Sequence, residues 1–558
     1  MGAAMPAKAA PPPSPEHAVA ASSGTQPRRL RVGLFVDSRE QPRWVAEAFS
    51  RVARAGFAEI SLIAVAGEPA TEPPALWKLY DRMDRWTFAR GAQDPAGRVD
   101  LVRAVPHRKF AQLGSLALHE LGLDLDVAFA VGRFDDGLLD GIARYGVWRF
   151  YFGGGSHEAG AGEALAGFRE VAENAALSGS GLKVRLAAGA ASRFAYQSWS
   201  RTYPLSAARN RAQLLAKTAA FAERALRELH RSGYGWLEQC RLFRGPEESR
   251  VAYPGTLELA RDVGAIAARI GRRGLEKALN VEQWFIAYRF RESRFGDARA
   301  IPPDLRGFTR LTPPKDRYWA DPFPLAMNGR YFVFFEELPF KAGKAHISMV
   351  EIDPVSGGAS QPVRVLERPY HLSYPFLLEH EGQLYMIPET ARHGTVELYR
   401  CVDFPRSWKL ERVLIDGLRC VDATFHRGHD RWWLFANVAA KGSRMYDDEL
   451  HLFHAEKLGG EWTPHPRNPV KSDARCARPA GQLYWRNGAL YRPAQICAPL
   501  YGSGLSINRV LRLTPTEYAE RQVERILPSR REGLLGLHTV NRAGDLTVVD
   551  AFMRRPRF

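Results

Sequence analysis

Residues 320–337 read ADPFPLAMNGRYFVFFEE, two apolar runs separated by a turn. Short apolar runs on either side of a glycine-containing turn predict a β-hairpin. Asp321 lies eight positions before the turn residue Gly329, and Glu336 lies seven positions after it. This spacing defines a unit that can be sought in the rest of the chain.

The unit recurs in four further segments. They read SYPFLLEHEGQLYMIPET (373–390), VDATFHRGHDRWWLFANV (421–438), RPAGQLYWRNGALYRPAQ (478–495) and GLHTVNRAGDLTVVDAFM (536–553). The copies start at 321, 374, 422, 480 and about 538, so they are 48 to 58 residues apart, and the fifth copy keeps the spacing only loosely. Four strands in each unit of ~40–50 residues are typical of a β-propeller. Residues 300–558 are therefore predicted to form an all-β, five-bladed β-propeller.

A propeller would bring equivalent positions of the repeat together, because the innermost strands of all blades line one axial channel. The predicted catalytic residues are Asp321, Asp422 and Glu389. Carboxylates, amides and aromatic rings suit a polyhydroxylated ligand, and paired carboxylates suit acid/base chemistry on a glycosidic bond. Alternatively, repeated polar residues satisfy backbone groups between blades. The predicted substrate-binding residues of the channel are Glu336, Tyr374, Asn437, Arg478, Arg492, Gln495 and His538, with Trp319 and Trp432 as neighbouring rings.

The first half of the chain has a different pattern. Short apolar runs such as RLRVGLFVDS (29–38) and LDVAFAVGRF (125–134) alternate with helical spacing, which predicts an α/β domain with a parallel sheet over residues 29–240. Residues 205–229 are predicted to form one helix, and residues 241–299 a helical connector. Residues 1–28 are rich in Pro, Ala and Ser and predict a disordered tail.

A glycine-rich segment, GGGSHEAGAG (153–162), follows one predicted strand of this domain. Such a segment can hold a phosphate with its backbone N–H groups, or it can be a flexible loop. It matches neither the P-loop nor the dinucleotide-binding pattern. Gly154, Ser156 and the preceding Arg149 are the predicted contacts to a phosphorylated donor.

The amino-acid composition limits the kinds of ligand and the cellular location that we expect for the protein. The 78 Lys and Arg residues against 61 Asp and Glu residues give a net charge of +17, which attracts anions such as phosphorylated substrates or an anionic membrane surface. Binding to nucleic acid is not expected, because no nucleic-acid-binding motif accompanies the charge. No metal-ligand spacing is present, and no cofactor is evident beyond a nucleotide-activated sugar donor. Five cysteines without a CxxC pair and the lack of a signal peptide predict a cytoplasmic protein.

Several motifs of the second half resemble one known domain. RYWADPF (317–323), RPYHLSYPF (368–376), GQLYMIPET (382–390) and GLHTV (536–540) resemble the N-terminal propeller of plant glucosamine inositolphosphorylceramide transferases, which is also found in bacterial chains. That propeller is similar to the arabinanase/invertase fold, whose glycosidases carry acids on the inner strands. The resemblance implies that Asp321 and Asp422 are such acids.

The resemblance also marks differences. Tyr374 stands where a glycosidase would carry a functional Asp, so hydrolysis is not implied. The plant proteins carry a separate C-terminal glycosyltransferase domain, and this chain ends at Phe558 without one, so glucosamine transfer to a sphingolipid is not implied either. Residues 126–154 are similar to the formyltransferase-like α/β fold, but Arg149 and Tyr151 stand at the catalytic Asn and His positions. Formyl transfer by the usual chemistry is therefore not expected.

The combined prediction is a carbohydrate-active transferase of the glycosyltransferase type, acting in assembly of a bacterial glycan or glycolipid. The α/β domain would take the phosphorylated donor, and the propeller would bind the sugar acceptor. Asp321 or Asp422 would deprotonate the acceptor hydroxyl, with Arg478 and His538 orienting it. The alternative is a non-catalytic glycan- or glycolipid-binding protein built from two inactive enzyme folds.

Overall fold

The structure, a computed structural model, describes most of the chain from Arg28 onwards. The predicted tail before Arg28 and most of the glycine-rich segment lie outside the described residues. Among the described residues, no helix combines the length and the apolar character that crossing a bilayer requires. The described ranges are 28–65, 72–89, 94–112, 124–132, 134, 137–153, 163–244, 253–290, 302, 304–439 and 445–557.

The first domain is built on one mixed sheet. Its seven strands are β1 (Leu30–Val36), β3 (Ala58–Val65), β5 (Lys109–Gln112), β6 (Val127–Val131), β7 (Val147–Phe152), β8 (Leu177–Arg185) and β9 (Arg193–Arg201). Two further strands, β2 (Glu40–Pro42) and β4 (Arg98–Asp100), form a separate two-stranded ladder. The sheet order is β5-β3-β1-β6-β7-β8-β9, with parallel pairing up to β7 and antiparallel pairing beyond it. The predicted α/β class is confirmed, whereas the formyltransferase-like relationship stays a prediction.

The helices cover this sheet and lead into the second domain. They are α1 (Arg43–Arg54), α2 (Ala75–Phe88), α3 (Leu101–Ala104), α4 (Phe168–Ala172), α5 (Ala207–Thr218), α6 (Phe221–Ser232), α7 (Tyr234–Gln239) and α8 (Thr256–Leu279). Phe49, Leu215 and Phe221 of α1, α5 and α6 join the core on one face of the sheet. The single helix predicted over 205–229 is wrong, because a tight turn in which the Ala220 N–H bonds to the Lys217 carbonyl separates α5 from α6.

The second half forms five antiparallel blades around one axis, four of them four-stranded and the third with a short fifth strand, which confirms the predicted five-bladed propeller. Blade 1 has β12 (Arg317–Met327), β13 (Arg330–Pro339), β14 (His346–Ile352) and β15 (Val363–Leu366). Blade 2 has β16 (Ser373–His380), β17 (Gln383–Thr390), β18 (Thr395–Asp403) and β19 (Ser407–Asp416). Blade 3 has β20 (Cys420–Arg427), β21 (Trp432–Val438), β22 (Glu449–Ala455) and β23 (Thr463–Pro464), with β24 (Lys471–Ser472) also on β22. Blade 4 has β25 (Tyr484–Arg486), β26 (Ala489–Ile496), β27 (Gly504–Leu513) and β28 (Tyr518–Ile526).

The fifth blade closes the ring with strands from both ends of the propeller sequence. Its order is β11 (Thr309–Leu311), β10 (Asn280–Phe290), β30 (Leu546–Pro556) and β29 (Leu534–Ala543). All eleven residues of β10 pair with β30. The propeller sheets therefore begin at residue 280, before the boundary predicted at residue 300, because closing the ring requires an upstream strand to complete the last blade.

The predicted hairpin turns have the backbone that tight β-hairpins favour. The central residues Asn328-Gly329, Glu381-Gly382 and Asn487-Gly488 all have positive φ angles, between 48° and 75°. Two consecutive left-handed residues form the turn whose twist matches that of the flanking strands. The turns thus fix the register between the first two strands of three blades.

Candidate functional site

The innermost strands carry the same irregularity in four of the five blades. In blade 1 the ladder skips from Ala320 to Phe323, so that Asp321 and Pro322 together oppose one residue of β13. Equivalent bulges begin at Tyr374, Asp422 and His538. Asp321, Tyr374 and Asp422 have φ angles of 52°, 43° and 54°. Left-handed backbone at residues other than glycine is costly, and it concentrates where a side chain must be aimed at a site.

The polar residues of the second strands lie beside these bulges. Glu336, Glu389 and Asn437 pair with the residue just before the bulge in blades 1, 2 and 3. In blade 4, the Gln495 backbone N–H bonds to the carbonyl of Arg478. The repeat read from the sequence thus places both sets of residues at one end of the axial channel, here called the acidic end.

Asp321 belongs to a buried cluster that joins blades 1 and 5. Its Oδ1 accepts a hydrogen bond from Thr539 Oγ1 at 2.9 Å and lies 3.3 Å from His538 Nε2. His538 Nδ1 lies 2.5 Å from Asp550 Oδ2. Burial and the Asp422 and Asp550 carboxylates raise the pKa of Asp321, while His538 opposes the shift. Burial disfavours the imidazolium, but the two adjacent carboxylates outweigh it and raise the pKa of His538 to about 9.

Asp422 belongs to a second cluster that joins blades 3 and 4. Arg478 donates from Nε to Asp422 Oδ2 at 2.6 Å and from a terminal nitrogen to Oδ1 at 3.4 Å. Gln495 Nε2 donates to Asp422 Oδ2 at 2.8 Å. Both carboxylate oxygens of Asp422 therefore accept hydrogen bonds from protein groups. This arrangement holds Asp422 in one orientation.

Glu389 and Glu336 complete the acidic end. Glu389 Oε2 accepts the Asp422 backbone N–H at 3.3 Å, and its side chain is partly exposed. Burial and the Asp422 carboxylate raise the pKa of Glu389 to about 8. Glu336 Oε1 accepts the Tyr318 hydroxyl at 2.8 Å and lies 3.2 Å from His371 Nε2. Each of these two carboxylates is thus held through one of its oxygens.

Three carboxylate oxygens at the acidic end accept no hydrogen bond from the described residues. They are Asp321 Oδ2, Glu336 Oε2 and Glu389 Oε1, each on a side chain whose other oxygen is engaged. A carboxylate held through one oxygen presents the second to a ligand with its orientation already fixed. These oxygens are the acceptors available to the hydroxyl groups of a ligand.

Replacing Glu389 with glutamine is expected to stabilise the protein, and more so as the pH rises. The pKa of Glu389 is raised from an ordinary value of 4.5 to about 8, so its contribution to stability is present below 4.5 and is lost as the pH rises to about 8. In that window the unfolded chain has released the proton that the folded chain keeps. Glutamine stays neutral in both states and avoids this loss.

The measurement is the thermal midpoint of wild type and Glu389→Gln at pH 5 and pH 8. We expect similar midpoints at pH 5 and a variant midpoint several degrees higher at pH 8. Glu411→Gln is the matched control, because Glu411 is 44% exposed on β19. An equal difference between Glu389→Gln and wild type at both pH values would contradict the assigned protonation.

Two aromatic residues border the acidic end. The Trp284 ring on β10 lies 4.0 Å from the His538 ring between centroids, and the Tyr501 ring lies 5.3 Å from it. The Arg478 guanidinium lies 4.7 Å from the Tyr501 ring centroid. Both aromatic side chains are partly exposed. The Trp284 ring also packs against Phe552, with 5.1 Å between centroids. The exposed parts of the two rings lie beside carboxylates, where they can contact the C–H groups of a sugar.

The close packing at this border depends on Gly502. It has a φ angle of 64°, and a Cβ atom there would lie 2.7 Å from the Trp284 ring and 2.9 Å from His538 Cβ. Only glycine allows this approach. Sequence reasoning missed Trp284 and Tyr501 as site residues. The available signals were the Tyr501-Gly502 pair and the tryptophan at the start of a strand far upstream of the repeat.

Two of the predicted binding residues, Tyr374 and Arg492, have their polar groups engaged inside the protein. A third, Asn437, has its amide nitrogen engaged, while its buried Oδ1 accepts no hydrogen bond from the described residues. The Tyr374 hydroxyl is buried and bonds to Thr424 Oγ1 and the Gly481 N–H, both at 2.7 Å. Asn437 Nδ2 donates to the Tyr446 carbonyl at 2.9 Å. Arg492 is fully buried and forms a two-point ion pair with Glu520, with its donors also on the Cys476 and Ala477 carbonyls.

The aromatic and first-domain residues predicted for the site lie elsewhere. Trp319 and Trp432 are buried in apolar cores, where they pack against Phe335 and His380 rather than border the acidic end. Arg149 lies on β7 of the first domain, with its guanidinium 3.4 Å from the Phe134 carbonyl. Gly154 and Ser156 are outside the described residues.

The acidic end also contains a group of three side chains of types that can bind a metal ion. Asp321, His538 and Asp550 each offer a ligand atom within 4.8 Å of the others. Here the imidazole lies between the two carboxylates as an ion-paired trio, so we assign it to the electrostatics of the site.

The opposite end of the channel has a different lining. A cavity of about 420 Å³ lies there, bordered by the far ends of the inner strands, including Leu325, Leu377, Phe425 and Gln482. Tyr374, bonded to Thr424 and Gly481, lies between the two ends. The acidic end is therefore separated from this cavity by packed side chains.

Comparison with known proteins bears on the propeller. Residues 312–542 match the family model described as Glucosamine inositolphosphorylceramide transferase 1, N-terminal. The predicted resemblance is confirmed. Over 246 residues the chain is 31% identical to Glucosamine inositolphosphorylceramide transferase 1 of Oryza sativa subsp. japonica, covering 43% of this chain and 33% of the relative. Over 220 residues it is 31% identical to the Arabidopsis thaliana protein of the same name, covering 39% of this chain and 28% of that protein.

The chain thus spans about a third of the length of these curated relatives. Among solved structures, the propeller aligns with a thermostable family-43 glycoside hydrolase at a TM-score of 0.32 and 13% identity, over 43% of this chain and 89% of that one. It aligns with Zg3597, a family 117 glycoside hydrolase of Zobellia galactanivorans, at a TM-score of 0.31 and 12% identity, over 43% of this chain and 75% of that one.

Proposed function

We propose that the protein is a sugar transferase of glycan or glycolipid synthesis, and that the acidic end of the propeller binds the sugar acceptor. The observation that carries this proposal is the convergence of three unengaged carboxylate oxygens, on Asp321, Glu336 and Glu389, beside the partly exposed rings of Trp284 and Tyr501. The names of the propeller's relatives describe sugar transfer to a glycolipid, which supports the same substrate class.

Asp321 is the proposed general base, because burial and the neighbouring carboxylates raise its pKa to about 8, close to the pH at which such a base is most effective. Its Oδ2 takes the proton of the acceptor hydroxyl while the acceptor oxygen bonds to the anomeric carbon of the donor. The bond from that carbon to the donor's phosphate oxygen breaks, and its electron pair leaves with the phosphate. His538 fixes the orientation of the Asp321 carboxyl through Oδ1. Glu389 is held through Oε2 by the Asp422 backbone N–H and presents Oε1 to a hydroxyl group of the sugar.

The donor in this proposal is a nucleotide-activated sugar, and the first domain binds its phosphates through Arg149 and the glycine-rich segment. The net charge of +17 favours such an anionic donor and contact with an anionic membrane surface. The predicted cytoplasmic location and bacterial origin stay predictions.

A second candidate is a sugar- or glycolipid-binding protein without turnover. Two observations favour it. Tyr374 occupies a bulge position with its hydroxyl fully engaged, and both oxygens of Asp422 are held by Arg478 and Gln495. Such a site recognises hydroxyl groups through Asp321, Glu336 and Glu389 without moving a proton.

Thermal-shift measurements on the full chain test whether the site takes sugars. The probes are N-acetylglucosamine, UDP-N-acetylglucosamine and detergent-solubilised inositolphosphorylceramide. A ligand at 100 times its Kd stabilises the folded state by about 2.7 kcal/mol, so a bound probe raises the midpoint. The shift should disappear in a Trp284→Ala, Tyr501→Ala variant. Shifts that persist in this variant would mean that the sugar binds elsewhere. To distinguish a transferase from a binding protein, the protein is incubated with the donor and acceptor that it binds, and mass spectrometry is used to look for the product.

A further inference from the structure

Three consecutive acids join the propeller to the first domain. Asp447 and Asp448 lie just before β22 of blade 3, and Glu449 is its first residue. Each of the three is paired with a cation from a different element of the first domain. The pairs are Asp447 with Arg201 of β9, Asp448 with Lys217 of α5, and Glu449 with Arg224 of α6.

Two of these pairs connect the two domains without contacting the acidic end. Lys217 Nζ lies 2.8 Å from Asp448 Oδ2, which also accepts the Ser200 hydroxyl at 2.6 Å. Arg224 binds Glu449 through two nitrogens at 2.7 and 3.1 Å. The side chains of Lys217, Asp448 and Glu449 are at most 4% exposed. Removing one partner of such a buried pair leaves the other charge unpaired in the interior, which is strongly destabilising. The two pairs therefore favour the one arrangement of the domains in which both are formed.

Asp447 differs from its neighbours because it also contacts the acidic end. Its Oδ2 lies 2.7 Å from the Arg201 guanidinium, and its Oδ1 lies 3.4 Å from a terminal nitrogen of Arg478. Arg478 in turn holds Asp422 and lies against the Tyr501 ring. A continuous chain of charged contacts thus runs from β9 of the first domain to Tyr501 at the border of the site.

We propose that the first domain positions the sugar site of the propeller through Arg201, Asp447 and Arg478. Arg478 has two carboxylate partners on different sides, and Asp447 sets the plane in which its guanidinium lies between Asp422 and Tyr501. Arg201 holds Asp447 in that position from the other domain. Arg201 and Asp447 are positioning residues, and the inference rests on the proposed function of the acidic end as a sugar site.

The test compares Asp447→Asn with Asp448→Asn in the full chain. Both variants remove one interface carboxylate, but only Asp447 contacts Arg478. The first readout, hydrogen exchange of the peptides containing Arg478 and Tyr501, needs no ligand. We expect about a tenfold faster exchange in Asp447→Asn, because residues within one ion-pair network are energetically coupled. In Asp448→Asn, faster exchange should be confined to β9 and α5.

The second readout is the affinity for UDP-N-acetylglucosamine and N-acetylglucosamine. We expect Asp447→Asn to weaken binding about tenfold and Asp448→Asn to leave it within twofold. Arg201→Gln should reproduce Asp447→Asn, and Arg201→Lys should recover part of the loss. Equal effects of Asp447→Asn and Asp448→Asn, or unchanged exchange at Tyr501 in Asp447→Asn, overturn the positioning role. Faster exchange at Tyr501 in a protein whose wild type binds neither probe supports the positioning role and counts against the proposed function instead.

Discussion

Asp321→Asn is expected to lower kcat/KM for sugar transfer by about 10²–10⁴-fold, the range typical of losing a general base. Asparagine keeps the shape of the side chain and its contact with Thr539, so the bulge and the inner strand should persist. It has no carboxylate oxygen to take the proton of the acceptor hydroxyl. The Kd of the sugar should therefore change little, and the loss should appear in kcat.

The measurement is turnover and binding of the same acceptor by wild type, Asp321→Asn and Asp422→Asn. Asp422 is held by Arg478 and Gln495, so its variant should weaken both properties by disturbing Arg478. Glu351→Gln on β14 is the control for losing an exposed carboxylate of the same blade, since Glu351 pairs with Arg330 at the surface. Equal losses of affinity and turnover in Asp321→Asn would favour the binding protein over the transferase.

The architecture of the propeller was predictable because its repeat shows as a nearly constant number of residues between the polar positions and the turn. A polar residue eight positions before a turn and another seven positions after it must lie near each other across a hairpin. Five such hairpins around one axis bring Asp321, Glu389 and Asp422 to the same end. The left-handed backbone of Asp321 and Asp422 was not predictable, because it arises from the bulge that each inner strand makes there.

Other features of the site depend on contacts that have no fixed spacing. Trp284 reaches His538 because β10 closes the last blade, and nothing in the repeat predicts which upstream strand does so. Asp447 contacts Arg478 only once the first domain has docked on blade 3. Periodicity also cannot separate a polar residue that faces the channel from one that is satisfied internally. Asn437 holds the same repeat position as Glu389, yet its amide nitrogen bonds to the Tyr446 carbonyl inside the protein.

The expected effect on stability is largest at the domain interface. Arg224→Met should destabilise the protein by about 3–5 kcal/mol, the typical cost of breaking a buried ion pair from one side. Glu449 is 1% exposed and would lose both hydrogen bonds from the guanidinium. Burial alone would raise the pKa of Glu449, but Arg224 and Lys217 lower it to about 2. The pair therefore stabilises the folded state above pH 4.5, and this contribution is lost as the pH falls toward 2.

Denaturant unfolding at pH 7 measures this effect, and Arg227→Met is the matched control. Arg227 lies one turn along the same helix, is 43% exposed and pairs with Glu223 four residues away, an arrangement worth about 0.3–0.5 kcal/mol. The double variant Arg224→Met, Glu449→Leu should recover most of the loss, because a well-packed apolar pair often replaces a buried ion pair without cost. If Arg224→Met and Arg227→Met lower the free energy of unfolding equally, the ion pairs do not hold the two domains together. The first domain could then not position Arg478 through Arg201 and Asp447.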